Sequence, residues 1–548
     1  MSTTISVLGG VGLFLLGMSV MTAGLKGLAG SRLRTVLGKA AATPLSGAFW
    51  GAIVTLIVQS SSATTMTTIG LVSGGVLSFQ QGLALVFGAN VGTTGTGWLV
   101  ALIGVRVSLT AAALPMLFVG ALIKLLGHGR VSAAGAALAG FALVLFGLTT
   151  LQQGMEGVAE QLHPADLPAV LGSGWWVGLY GALALIVVGL VMTAVMQSST
   201  AAIAVTLSAY HAGAVGLDQA CALIIGQNIG TATSSAMAAI GASSTAKRLA
   251  LAYILFKLIA ALIALVLFPV TVPLLVRASG TVDGVTLLAA YHTAYNIVGV
   301  AVMLPVIDAF TRLVERILPE RGSPLTRCLD PAALVTPVAT VEAVRRTVAR
   351  ALEAMCGPLS TTLSASNPGT SARPGKSVVP AAEAADALRQ AQVFLSEASG
   401  PPESADEQER LTSTLHALDH ASRLAETVDG EGEFDTTPGG PEDMRAAEVC
   451  AVSMRNAASL AAEVATSFDS EEELGAMGAT EQALVQLERC AKELGELRRD
   501  HRRATLGSVG GGVLTADEAI TRVDAMRRLE ALAHHAWRSA AHLVGRGA

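Results

Sequence analysis

Two short polar motifs occur twice in this sequence, each time inside an otherwise apolar region. The first motif reads QSSSA at 59–63 and QSSTA at 197–201, and the second reads GANVGT at 88–93 and GQNIGT at 226–231. The second copy follows the first at the same offset for both motifs, and the two motifs are equally far apart within each copy. Two matched motifs at identical spacing indicate an internal duplication, and duplicated polar breaks in apolar segments point to a binding site.

These residue types can bind small ions without any fixed charge. A Gln-Ser-Ser run directly after an apolar stretch fits the tip of a re-entrant hairpin or a helix break, where backbone N–H groups and hydroxyls are free. Free N–H groups at a helix N-terminus, together with hydroxyls, form an anion site. Carbonyl, amide and hydroxyl oxygens suit a small hard cation, and we expect the glycines of the second motif to let the backbone turn there. Close helix packing also selects Ser, Thr and Gly, but an amide beside clustered hydroxyls, present twice, favours a site.

The candidate substrate- and ion-binding residues follow from the two motif pairs. They are Gln59, Ser60, Ser61, Ser62, Thr64, Asn90, Thr93, Thr94, Gln197, Ser198, Ser199, Thr200, Asn228, Thr231 and Thr233. Three more residues could line the same cavity. Lys257 lies near the middle of a predicted spanning helix, where a charge is costly and usually functional, although a lysine in a tilted helix can also reach the interface. His292 and Asn296 lie one turn apart and could line the cavity or join two helices by hydrogen bonds.

The distribution of charge places these motifs in a membrane domain. Residues 1–320 hold 13 Lys and Arg and 8 Asp and Glu, whereas residues 321–548 hold 23 and 33. Runs of about 20 apolar residues, the length that spans a bilayer, lie near 5–25, 108–126, 131–151, 249–269 and 284–306. The apolar part is therefore predicted to be a multi-pass membrane domain, and the acidic part a soluble domain.

Basic residues orient the predicted helices. Short loops rich in Lys and Arg face the cytoplasm, so we place the predicted loop 26–39 and the basic segments 124–130, 247–248 and 312–321 inside. We place the acidic loop 155–173 outside. The first motif region then crosses outwards and the second inwards. The predicted fold class is all-α: a polytopic membrane protein with two inverted repeats that contain re-entrant or broken helices, followed by a cytoplasmic helical bundle. The repeats cover about 5–126 and 131–270, and an extra helix follows at about 284–306.

At these residues the sequence resembles the bacterial sodium-dependent phosphate (Na/Pi) cotransporter family. That family carries a QSSS-type motif in each of two inverted repeats, each followed by a G-x-N-x-G-T element. The matching stretches are QSSSATT at 59–65, GANVGTT at 88–94, QSST at 197–200 and GQNIGTAT at 226–233, with Thr200 in place of the third serine. The resemblance covers about residues 1–320. It implies a secondary active transporter of the cytoplasmic (inner) membrane that couples Na⁺ to inorganic phosphate, with no cofactor besides the coupling ion.

Residues 338–548, after a linker at 321–337, resemble the PhoU-like cytoplasmic helical domain that bacterial members of this family often carry. Segments with the periodicity of amphipathic helices are 338–364, 381–399, 404–428, 442–467, 479–505 and 515–545. The segments 365–380 and 429–441 contain Gly and Pro and are predicted loops. PhoU-type domains can bind metal through acidic residues, but we interpret the acidic residues here as a solvated face and predict no metal site.

Two other functions stay open beside symport: phosphate export, and phosphate sensing by a membrane-anchored protein that acts through the PhoU-like domain. An enzyme is not expected, because the sequence has no P-loop, G-x-S-x-G or H-E-x-x-H motif. Its five cysteines show no metal-ligand spacing. The expected partners are phosphate, Na⁺ and the lipid bilayer, and no nucleic acid. A homodimer, and a phosphate-signalling protein at the C-terminal domain, are further hypotheses.

Overall fold

The structure of the chain is a computed structural model that describes most of its residues. The residues outside the description are 1–2, 41–42, 105–109, 172–173, 241, 320–322, 366–380, 399, 401, 403, 430–440, 468–472 and 547–548. Side chains are also outside the description at 30–40, 103–104, 110–111, 175, 238, 365 and 473–479. Every regular element in the described part is helical, which confirms the all-α fold class.

The helices run in chain order through an apolar part and then a polar part. Before residue 320 they are α1 (Thr3–Ala40), α2 (Pro44–Val58), α3 (Ser61–Ser73), α4 (Phe79–Thr93), α5 (Gly95–Leu99), α6 (Thr110–Leu126), α7 (Arg130–Ala159), α8 (Trp175–Met196), α9 (Ser199–His211), α10 (Leu217–Ala238), α11 (Ser244–Ala278), α12 (Gly284–Met303) and α13 (Ile307–Ile317). After it they are α14 (Pro337–Ala365), α15 (Ala381–Ser396), α16 (Ala405–Asp429), α17 (Pro441–Thr466), α18 (Glu473–Gly510) and α19 (Ala516–Leu543).

Six stretches of the described chain are long and apolar enough to cross a bilayer. They are Thr3–Ala29, Phe79–Leu102, Arg130–Ala159, Trp176–Met196, Ser244–Ala278 and Gly284–Ile317. The helices α2 and α6 are also apolar but too short to be counted with them. Four of the five predicted spanning runs coincide with these stretches, and the fifth, 108–126, coincides with the shorter helix α6.

The first helix is longer than predicted. The predicted loop at 26–39 is wrong, because α1 continues from Thr3 to Ala40. The segment 26–40 contains three glycines but no proline. Its Leu, Arg, Lys and Ala residues are favourable in helices. Lys26 consequently belongs to a helix face.

The two motif regions have the same local structure. The helices α3 and α9 are equal in length, and they begin at equivalent positions of the two copies, as do α4 and α10. The turn after each short helix contains a glycine at positive φ, Gly75 at 79° and Gly213 at 83°. The opposite orientation of the two copies in a bilayer stays a prediction.

The glycines of the second motif pack helices together and do not turn the backbone. Gly88 lies inside α4 and Gly226 inside α10. A Cβ atom would lie 1.8 Å from the carbonyl oxygen of Ala48 at the first position, and 1.9 Å from that of Ile186 at the second. The expected turn is therefore wrong, because glycine is needed here for the close approach of two helix backbones. The asparagine between the glycines thus projects from a continuous helix.

The chain divides into two compact units. One comprises Met1–Ile69 and Ser78–Glu320, and the other comprises Gly70–Leu77 and Arg321–Ala548. In the second unit, α14 to α19 lie at the six segments predicted to be amphipathic helices, which confirms them as helices. The predicted loops 365–380 and 429–441 lie almost entirely outside the described residues. The likeness to a PhoU domain stays a prediction.

Candidate ion-binding site

Each Gln-Ser motif interrupts its helix at the glutamine. Gln59 follows the end of α2 with φ of 57°, and Gln197 follows the end of α8 with φ of 51°. Within the described part of the chain, no other residue except glycine has a positive φ. This left-handed conformation costs a residue with a side chain about 1–2 kcal/mol. A glutamine kept in it twice indicates that the side chain itself is needed.

The two glutamine amides are held in the same way. The amide oxygen of Gln59 accepts a hydrogen bond from the Thr96 hydroxyl at 2.7 Å, and that of Gln197 accepts one from the Ser234 hydroxyl at 3.1 Å. Each amide nitrogen donates to the backbone carbonyl three residues earlier, at 2.5 Å. Thr96 and Ser234 lie outside the set of residues predicted from the motifs. The sequence separation between Thr96 and Ser234 equals the separation between the two motif copies. This equal separation is the signal that could have identified the two residues.

A serine caps the helix that follows each break. The Ser60 hydroxyl accepts a hydrogen bond from the backbone N–H of Ala63, and the Ser198 hydroxyl accepts one from that of Ala201, both at 3.2 Å. The N–H groups between serine and alanine have no acceptor inside the helix. A helix N-terminus attracts negative charge. Each copy therefore presents a capped helix start that can bind an anion.

Both helix starts open into one cavity of about 440 Å³. Ten of the fifteen candidate binding residues line it: Gln59, Ser60, Ser61, Ser62, Thr93, Gln197, Ser198, Ser199, Thr200 and Thr231. The other polar lining residues lie outside the predicted set; they are Ser19, Thr22, Lys26, Thr193 and Ser234. The first three belong to α1, which lies outside the duplicated motifs, so only the folded structure reveals them.

The cavity is rich in hydroxyls and poor in charge. Twelve of its eighteen lining residues are Ser or Thr, and none of the eighteen is acidic. The charged residue among them is Lys26, whose side chain is exposed. A single ion is costly to hold away from water without a partner of opposite sign. A cavity of this kind therefore suits an anion and a cation that bind together.

The other five candidates lie behind the cavity lining. Thr64, Thr94 and Thr233 each donate the hydroxyl hydrogen to a backbone carbonyl three or four residues earlier in the chain. Those hydrogens are therefore already engaged. Asn90 and Asn228 are buried inside α4 and α10.

Lys257 lies in a buried polar network around Asn228. Its ammonium group donates a hydrogen bond to the Asn228 amide oxygen. The Asn228 amide nitrogen donates to the amide oxygen of Asn296 at 3.2 Å, and Asn296 donates to the backbone carbonyl of His292 at 2.8 Å. The three residues that were expected as cavity lining thus lie behind this cavity, where they join α10, α11 and α12.

Tyr253 connects this network to the cavity. It lies one turn before Lys257 on α11, and the lysine ammonium is 5.3 Å from the centre of its ring. The Tyr253 side chain lies close to Ser61 and Thr231. These two residues line the cavity and come from different motif copies, so one side chain contacts both halves of the site.

A histidine cluster lies in the second unit, between α16 and α19. It contains His416, His420, His534, His535 and His542. The Nδ1 atoms of His420 and His535 are 3.1 Å apart. Burial, and after it the neighbouring His535, lowers the pKa of His420 to about 4, and burial also lowers the pKa of His535 and His542. Across the described residues, no group of three or more His, Cys, Asp or Glu is arranged to hold a metal ion.

Known proteins resemble this chain over part of its length. YqeW of Bacillus subtilis (strain 168), an uncharacterised protein, is 29% identical over 313 residues, which cover 56% of this chain and 96% of that protein. YjbB of Escherichia coli (strain K12), named for inorganic phosphate export, is 30% identical over 358 residues, which cover 64% of this chain and 63% of that protein. This chain thus spans less than two thirds of YjbB. Sodium-dependent phosphate transport protein 2A of Oryctolagus cuniculus is 39% identical over 61 residues, 11% of this chain and 10% of that protein.

No solved structure matches this chain. A family model does: residues 13–153 and 181–278 match the family described as Na⁺/Pi-cotransporter. These residues include both Gln-Ser motifs and both Gly-x-Asn-x-Gly-Thr motifs, and they supply all the residues that line the cavity. The cavity and both motif pairs of this membrane protein therefore lie in the part of the chain that matches the Na⁺/Pi-cotransporter family.

Proposed function

We propose that this protein couples the movement of Na⁺ to the movement of inorganic phosphate across the membrane. One observation carries the proposal: both Gln-Ser motifs line a single cavity, whose wall holds two helix starts and twelve hydroxyl residues. Phosphate has four oxygen atoms that accept hydrogen bonds from several directions, which suits N–H and O–H donors that converge from two sides. The family match and the phosphate-transport names of the relatives support phosphate as the anion.

The lack of acidic residues in the cavity gives the reason for coupling. Amide and hydroxyl oxygens can hold Na⁺, but they do not neutralise it. Phosphate supplies the missing negative charge, and Na⁺ in turn offsets the charge of phosphate. Each ion therefore raises the affinity of the cavity for the other. A transporter that changes its exposure only when the cavity is fully loaded then moves both ions together.

The test measures uptake of labelled phosphate by liposomes that contain the purified full-length protein. An inward Na⁺ gradient should drive uptake, and an equal K⁺ gradient should not. Gln59→Ala and Gln197→Ala should each lower the uptake rate about tenfold or more, equivalent to about 1.4 kcal/mol. Gln153→Ala is the matched control, because Gln153 is an exposed glutamine of α7 that does not line the cavity.

Two results would contradict the proposal. Uptake that proceeds equally with K⁺ would exclude sodium coupling. Uptake that survives both glutamine substitutions at the rate of the Gln153 control would exclude the cavity as the phosphate site.

Export is the second candidate, favoured by the likeness to YjbB. A symporter runs in either direction according to the gradients of its two ligands, so the site itself does not set the direction. Efflux from liposomes preloaded with labelled phosphate distinguishes the two mechanisms. Efflux that needs Na⁺ on the phosphate side indicates a symporter working outwards, whereas equal efflux without Na⁺ indicates an exporter without sodium coupling.

We also propose that the protein lies in the cytoplasmic membrane with its C-terminal unit in the cytoplasm. The excess of Lys and Arg in the segments predicted to face inside supports this orientation. Protease treatment of intact and of opened cells tests this orientation. Cleavage of the C-terminal unit in intact cells would contradict it.

A further inference from the structure

The two copies of the Gly-x-Asn-x-Gly-Thr motif differ in what contacts the asparagine oxygen. Asn90 and Asn228 occupy equivalent positions of the two copies and are 1% and 4% exposed. The Asn228 oxygen accepts a hydrogen bond from the Lys257 ammonium. The Asn90 amide nitrogen donates to the Val86 carbonyl at 2.9 Å, but its oxygen is buried without a hydrogen-bond partner among the described residues. One copy thus has a cation at this oxygen, and the other has an unpaired acceptor.

The unpaired Asn90 oxygen is suited to a cation. A buried oxygen without a partner loses free energy that a ligand would restore, and amide oxygens are good ligands for hard cations. Asn90 lies one helical turn before Thr93, which lines the cavity. Its helix face also carries Phe87 and Thr94, which contact residues of α11 and α12. Asn90 therefore faces the centre of the first unit, close to the site.

Lys257 is a basic group that is covalently fixed in the interior of the first unit. Its side chain is 1% exposed, and no carboxylate of the described residues acts on it. A charge fixed at this depth is costly unless an anion lies nearby. Tyr253 lies between the ammonium and the cavity, so an anion in the cavity would be the nearest partner. At the offset of the two motif copies, the position equivalent to Lys257 is Val119, so the first copy has no such charge.

We propose that Lys257 is a built-in counter-ion of the site. Its ammonium group occupies the position beside Asn228, and a transported Na⁺ occupies the equivalent position beside Asn90. This inference rests on the proposed function and adds two details to it. It assigns Asn90 as a ligand of the exchangeable cation. In addition, the lysine supplies one positive charge to the loaded site. One Na⁺ fewer therefore moves with each phosphate than in a protein that has no lysine beside either asparagine.

The test counts ions in variants that remove the charge or the oxygen. Wild type, Lys257→Met and Asn90→Ala are reconstituted, and the uptake of labelled Na⁺ and labelled phosphate is measured together. Lys257→Met should raise the ratio of Na⁺ to phosphate by one, because Na⁺ then fills the place beside Asn228. Asn90→Ala should lower the ratio by one, or raise the half-saturating Na⁺ concentration about tenfold. Lys124→Met, at an exposed lysine of α6, should change neither.

An unchanged ratio in Lys257→Met would overturn the inference. If that variant does not transport, the melting temperature of the purified protein at saturating phosphate decides. Bound Na⁺ raises the melting temperature. Compared with wild type, the melting temperature should depend more steeply on Na⁺ concentration in Lys257→Met and less steeply in Asn90→Ala. An identical dependence in all three proteins would overturn the inference. A wild type without Na⁺-driven uptake would instead refute the proposed symport.

Discussion

Replacement of the two left-handed glutamines by glycine separates the conformation of each helix break from the chemistry of its side chain. Gln59→Gly keeps the backbone that the break requires but removes the amide that faces the cavity. Gln59→Ala removes the same amide and keeps a Cβ atom in the unfavourable conformation. The two variants therefore differ in backbone strain and agree in lost side-chain contacts, and the same comparison applies at Gln197.

The expected difference in stability follows from the φ angles of 57° and 51°. The left-handed conformation costs alanine about 1–2 kcal/mol. Glycine avoids this cost but loses about 0.5–1 kcal/mol through its larger backbone entropy when unfolded. The glycine variant should therefore be more stable than the alanine variant by about 0.5–1 kcal/mol. The hydrogen bonds of the amide, including the one from Thr96, are lost in both and cancel.

The assay combines unfolding of the purified protein in detergent with phosphate uptake in liposomes. Both variants at Gln59 should lose uptake, while glycine unfolds at the higher denaturant concentration. Gln153 in α7 provides the control, because alanine there should be more stable than glycine by about 1 kcal/mol. If glycine were the less stable variant at Gln59, the strain argument would be refuted. If Gln59→Gly transported like wild type, the amide would have no role in the site.

Two further predictions concern packing and pH. Gly88→Ala and Gly226→Ala should each destabilise the protein by about 3 kcal/mol or more, because the new Cβ would lie far inside the ordinary contact distance of 3.4 Å to a rigid backbone oxygen. Gly12 has open space around it, so Gly12→Ala should be neutral or stabilising in the same unfolding assay. Equal effects at all three positions would refute the packing role. As pH falls from 7 to 5, α16 and α19 should lose about 1 kcal/mol of stability. In the unfolded chain His420 has its ordinary pKa of 6.5 and takes up a proton in this range, whereas the folded residue, with a pKa of about 4, does not. Hydrogen exchange of the full-length protein, corrected for the intrinsic rate, should show this loss and show less of it in His420→Gln; protection that is independent of pH would contradict it.

Features that depend on local sequence could be predicted well. Apolar length predicts the membrane helices, and period and turn residues predict the six helices from α14 to α19. The helix break at Gln59 and Gln197 could be predicted from the polar run at the end of an apolar stretch. At membrane depth such a run is tolerated only where it is buried in protein or lines a polar cavity. The wrong expectations had a local cause too. Basic residues at 26–39 indicate a side of the membrane and not the end of a helix, and glycines favour a close helix contact as readily as a turn.

The sequence by itself determined the duplication and the polar residues of the two motifs, because a repeat at one fixed offset is visible without any structure. Only the tertiary structure decided which of those residues share a cavity, since that depends on how helices distant in the chain pack. It brought Lys26 of α1 into the lining and placed Lys257 behind it. It also showed that Asn90 and Asn228, equal in sequence, are unequal in their contacts. The physical reason is that a repeat fixes local conformation, whereas the partner of a buried polar atom is supplied by whichever other helix packs against it.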